Sequence, residues 1–135
     1  MDRLAVDYLK RAKIRLEVLE VLYEKGDYPD VVREAQEVVE LALKAVLRLI
    51  GVEVPKVHDV GKILGKYEDL LPEELRQNLK KIATISKRLR KERELSFYGA
   101  EDFIPLEEYT AEEALQAIND AKFVVDTITR AFKVC

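Results

Sequence analysis

The sequence predicts an all-α protein: an up-down bundle of four long helices with one short helix added. Three observations lead there. Only five Gly and four Pro occur in 135 residues, so turns are few and elements long. Apolar residues recur at three- and four-residue steps through four separate stretches of roughly 20 residues, each about 30 Å of helix. Clear stop and start signals separate those stretches. The length suits one domain, residues 1–135, with a single core, and no repeat or linker divides it.

The first helix is expected from Asp2 to Glu24, with Ala5, Tyr8, Ala12, Leu16, Leu19 and Tyr23 as its apolar stripe and Gly26 at its end. The second runs from Tyr28 to Ile50, between Asp27 as N-cap and Gly51 as stop. It has two parallel apolar stripes. Val31, Ala35, Val38, Ala42, Ala45 and Leu49 form one; Val32, Gln36, Val39, Leu43, Val46 and Ile50 form the other. Together they cover nearly half the circumference, so this helix should touch two or more neighbours. Glu40 and Lys44 read as an exposed i,i+4 pair. A short helix is expected at His58 to Leu64, then a long one from Pro72 or Glu73 to about Leu95. "FYGAEDFIPLEEY" reads as a loop long enough to carry function. Thr110 with Glu113 makes a capping box for a last helix, Ala111 to Lys133.

Within the helix that follows Pro72, Leu75, Leu79, Ile82, Ser86, Leu89 and Arg93 fall in one arc of about 80°. Arg93 thus extends an apolar stripe by one turn. A guanidinium there keeps its charge and needs carboxylate, phosphate or carbonyl partners. A structural salt bridge satisfies it as well as a ligand does. On another face Arg76, Lys80, Lys87 and Lys91 lie within about 60°. Residues 76 to 93 hold eight basic side chains and one acidic one, Glu92. That strip is either a solvated face neutralised by carboxylates such as those of "EEYTAEEA", or a track for a phosphate backbone leading to Arg93.

Other chemistry is excluded by what is missing. His58 is the one histidine and Cys135 the one cysteine, so no internal disulfide, two-histidine mechanism or zinc cluster is available, and no metal or cofactor is expected. "HD" at His58–Asp59 reads as a helix start. The net charge of −3 argues against a uniformly basic nucleic-acid binder while permitting a local basic face. The charged N-terminus is neither signal peptide nor membrane span, which places the chain in the cytoplasm. Abundant charges of both signs with few Asn, Gln, Cys and Met point to a thermophile.

Read together, "GDYPDVVREAQEVVELALKAVLRLIGVEVPKVHDVGKIL", "RELSFYG" and "YTAEEALQAINDAKFVVDTI" make the chain resemble the HEPN domain family (higher eukaryotes and prokaryotes nucleotide-binding) over most of its length. The resemblance implies a small helical bundle that dimerises, with two copies of an Arg-x4-6-His motif meeting across the interface as a metal-independent RNase site. It also implies, for other members, pairing with a small MNT nucleotidyltransferase in toxin–antitoxin-like modules, one class of which is nucleotidylated on a tyrosine. Arg93 matches the family arginine; Tyr98 stands where the histidine should be. A histidine near pKa 6.5 exchanges protons at neutral pH, whereas a free phenol near 10 is ionised only about one part in a thousand. The departure favours binding over cleavage. The expectation is therefore a homodimeric nucleotide- or RNA-binding module, partner or target of an MNT nucleotidyltransferase, with Arg93, Tyr98, Ser96, Lys87 and Lys91 at its site. The alternatives are an RNase with Tyr98 in the histidine's role and a purely structural dimer.

Overall fold

The structure, a computed structural model, describes residues 1–54, 56 and 59–134. Among these the chain forms α1 (Arg3–Glu24), α2 (Tyr28–Leu49), α3 (Val60–Leu64), a 3-10 turn (Gly65–Leu70), α4 (Glu73–Tyr98), α5 (Pro105–Glu108) and α6 (Ala111–Phe132). No strand occurs among the described residues; the one β-bridge joins Ala100 to Phe103. The expected all-α bundle is the observed one. Of the helix start expected at His58–Asp59, His58 lies outside the described residues; Asp59 caps α3, accepting from the Lys62 amide at 3.3 Å.

The local signals work as read. Asp27 accepts the Asp30 amide at the start of α2, and Thr110 and Glu113 close the capping box of α6 in both directions. Gly26 and Gly51 end α1 and α2 at positive φ. Asp2, expected as the first residue of the first helix, is its N-cap. Its carboxylate also grips Arg48 bidentately at 3.1 Å, which ties the start of α1 to the end of α2 and holds the Asp2 carboxyl below its usual range.

α2 is the central helix and packs against α1, α4 and α6. Both of its stripes are buried apart from the terminal Leu49 and Ile50, and Gln36 sits in one of them as the sole polar member. On α1 the buried arc is Ala5, Leu9, Ala12 and Leu19. Leu9 was absent from the expected stripe, while Tyr8, Leu16 and Tyr23 flank the core half-buried. The arc is turned because α1 leans on α6 as well as α2. Ser86 is small because α3 crosses it: a Cβ on Gly61 would lie 3.3 Å from the Ser86 Cβ.

Two departures matter for function. The helix expected to stop near Leu95 continues to Tyr98, and the following loop contains the one-turn α5. Its far end is pinned by Phe103 and Tyr109, whose rings meet edge to face at 5.8 Å.

The start of α2 carries a pH dependence. Its hydrogen bond with the Asp27 carboxyl, then partial burial, push the Asp30 carboxyl up from 3.8 to about 6. The folded chain therefore holds this proton more tightly than the unfolded chain. The resulting stabilisation is present below the free value and is lost as pH rises through about 6. Asp30→Asn is expected to stabilise the protein at pH 8 by on the order of 0.5 kcal/mol, the scale of a surface like-charge repulsion. The gain should vanish by pH 4 in paired thermal melts; an equal gain at both pH values would refute the coupling.

Candidate functional site

The site begins with helix geometry. Because α4 stays helical through Tyr98, Arg93 and Tyr98 point roughly 140° apart around its axis. Within one chain they do not share a face. Tyr98 instead lies in line with Arg76, Lys80, Lys87 and Lys91, extending that strip over about 33 Å of helix. It is 75% exposed, its ring edge to face with Phe97 at 4.8 Å. Phe97 is in turn covered by the Arg33 guanidinium at 4.5 Å.

The four basic residues of the strip are exposed, and none forms an ion pair among the described residues, whereas the arginines beside them do. Arg88 pairs with Asp120, Arg90 with Asp59 at 3.5 Å, and Arg93 with α2. The carboxylates of "EEYTAEEA" do not neutralise the strip. Glu113 is spent on the capping box, and with Glu112 it lines a separate cavity of about 310 Å³ between α4 and α6. There Tyr109 donates to Glu92 at 2.5 Å, and burial, then that carboxylate, push its phenol well above the usual range.

Arg93 reaches across to α2, its two terminal nitrogens 3.1 Å from Glu37 and 3.4 Å from Glu40. Glu40 is not the exposed partner of Lys44 that its spacing suggested. Its side chain is only 11% exposed and also accepts from Gln36 Nε2 at 3.2 Å, with Lys44 at 3.5 Å. α4 packs on this edge of α2 and covers it. Gln36, Arg90, Lys91, Arg93 and Glu94 line a cavity of about 460 Å³, with Lys91 and Arg93 on opposite sides of the α4 axis. The Gln36 Oε1, on a residue 5% exposed, has no hydrogen-bond partner among the described residues. Ser96 is buried, and its hydroxyl donates to the Arg93 carbonyl at 3.2 Å, so it braces the helix end beneath the surface.

Sequence reasoning missed Glu37, Glu40 and Gln36. One signal was present: a glutamine within the apolar arc of α2, with a glutamate one turn on at its border. No group of His, Cys, Asp and Glu suited to a metal ion occurs among the described residues, and no described helix is long and apolar enough to cross a membrane.

A helical bundle with an arginine at the last turns of its fourth helix defines the class, and comparison with known families agrees: the HEPN domain pattern matches residues 5–131. The chain belongs to the HEPN family. It is 36% identical over 127 residues to a protein of Methanocaldococcus jannaschii named "Putative toxin MJ1304", covering 90% of this chain and 83% of that one. No solved structure matches it significantly.

Proposed function

We propose that this chain is the HEPN half of a toxin–antitoxin-like pair: a homodimer that binds a nucleotide or RNA and is the partner or target of an MNT nucleotidyltransferase. One observation carries the binding reading. The face of α4 presents four exposed cations without carboxylate partners among the described residues, aligned with an exposed tyrosine ring on which a base can stack. The adjoining cavity is lined by Arg90, Lys91 and Arg93, and a phosphate there would compete with Asp59, Glu37 and Glu40 for the two guanidiniums. The relative's name supports the toxin assignment.

Lys87→Glu with Lys91→Glu is the test. Binding of a labelled RNA oligonucleotide should weaken at least about tenfold, alike for every sequence, with a shallower salt dependence, because phosphate contacts carry no base identity. Unchanged affinity would return the strip to a solvated face. For the partnership, incubation with an MNT nucleotidyltransferase and ATP should add nucleotide mass at Tyr98, and an unmodified chain would count against it.

A second reading has its own observation. The fork from Arg93 to Glu37 and Glu40 fastens α4 to α2, and in a purely structural dimer that is all the arginine does.

A further inference from the structure

We propose that the cavity between α4 and α6 is a docking site for a basic polypeptide segment of another protein, one of whose lysine or arginine side chains it receives. The cavity has an apolar floor. Val32 of α2, Leu89 of α4 and Ala117 of α6 line it, each at most 4% exposed. α4 and α6 both pack on α2, and the small Ala117 side chain leaves open a space that a larger residue would fill. At about 310 Å³ the cavity is at the small end of ligand pockets, and one long side chain fills much of it.

Its rim carries charge that nothing inside answers. Glu92, Glu112 and Glu113 line it, the last two exposed, so it opens to solvent on their side. Arg88 is the one cation among the lining residues, and it is paired with Asp120, which Gln116 Nε2 also holds at 3.1 Å. Glu92 accepts from Tyr109 and Glu113 from the Thr110 cap, but a carboxylate can accept several hydrogen bonds, so both keep capacity. Glu112 has no hydrogen bond or ion pair among the described residues.

The chemistry of the occupant follows from this division. An ammonium or guanidinium head meets the rim while its methylene stem lies along Val32, Leu89 and Ala117. The rim repels phosphate. Charge beyond the cavity selects a polypeptide over a small amine. From residue 94 to 121 the chain has no lysine or arginine, and Glu101, Asp102, Glu107 and Glu108 are all exposed. None of these four enters an ion pair among the described residues. Between them in the chain stand Ile104 and Leu106, 49% and 66% exposed. A segment with several basic residues and an apolar one complements all of this, whereas a single amine fills only the cavity. Leu89 and Glu92 lie about 100° or more around α4 from Lys87 and Lys91, so the inference does not rest on nucleic-acid binding.

The experiment follows the fluorescence anisotropy of a fluorescein-labelled octapeptide, Arg-Leu-Arg-Arg-Leu-Arg-Arg-Leu, titrated with the full chain. Binding should saturate, and Glu112→Gln should weaken it at least about fivefold, Glu112→Lys about tenfold or more. Glu17→Lys, an exposed change on α1 with the same effect on net charge as Glu112→Lys, should leave affinity within about twofold. Absence of binding overturns the proposal, and so does equal weakening by the two lysine variants, which would reduce the attraction to net charge. Ala117→Leu fills the cavity at constant charge and should weaken binding as much as Glu112→Gln; unchanged affinity overturns insertion into the cavity. If the leucine lowers the melting temperature, the comparison of Glu112→Lys with Glu17→Lys decides alone. Spermidine should displace the peptide only weakly, and full displacement at equal concentration would overturn the polypeptide occupant in favour of a small amine.

Discussion

Replacing Gly99 with alanine is expected to destabilise the protein by about 3 kcal/mol, lowering its melting temperature by roughly 10 °C. Two costs add. Gly99 has φ +66° and ψ −153°, a region open in practice only to glycine. A Cβ there would also lie 2.5 Å from the Phe103 carbonyl oxygen and 2.7 Å from Pro105 Cδ. Neither obstacle is a flexible side-chain tip. The loop is held in that position by paired backbone hydrogen bonds between Ala100 and Phe103, both 3.0 Å. To relieve the clash the loop must swing away, which separates Phe103 from Tyr109 and frees the last turn of α4, where Tyr98 sits. Weakened RNA binding should therefore accompany the loss of stability. A Gly99→Ala melt within 2 °C of wild type would show that the backbone at this position relaxes freely.

Arg93→Ala is expected to abolish RNA binding, a loss of about a hundredfold or more, while lowering stability by only about 1 kcal/mol, since the pair is partly exposed to solvent. The fork to Glu37 and Glu40 presents the guanidinium to the cavity beside Lys91, and phosphate would compete with those carboxylates for it. Tyr98→Phe should keep most of the affinity because the ring remains for stacking, whereas Tyr98→Ala should lose about tenfold or more. The same variants separate recognition from cleavage. EDTA-resistant RNA cleavage by wild type that disappears in Tyr98→Phe would establish the RNase alternative instead. Within one chain the two side chains lie on different sides of α4, so such chemistry would need one of them from a second copy. Loss of fold with unchanged affinity per folded molecule in Arg93→Ala would leave the arginine a structural clamp.

The helices were legible in the sequence because their signals are local. Asp27 caps Asp30 three residues on, Thr110 and Glu113 close a box within one turn, and Gly26 and Gly51 end helices by their own backbone freedom. The basic strip was legible for the same reason, since its members share one helix whose period fixes their common face. The family could be read from the order of those helices together with the arginine near Gly99. The two ends of the candidate site could not be separated so directly. A helix stop was expected near Leu95, but α4 runs three residues further, until the turn at Gly99 folds the chain back onto Phe103 and Pro105. Those three residues decide where Tyr98 points. The partners of Arg93 stand more than fifty positions earlier in the chain, on a helix edge that is exposed by spacing alone and covered only when α4 packs against it. Periodicity ranks the positions around one helix; which carboxylate a guanidinium reaches depends on how two helices meet, and that is decided by the packed core of both.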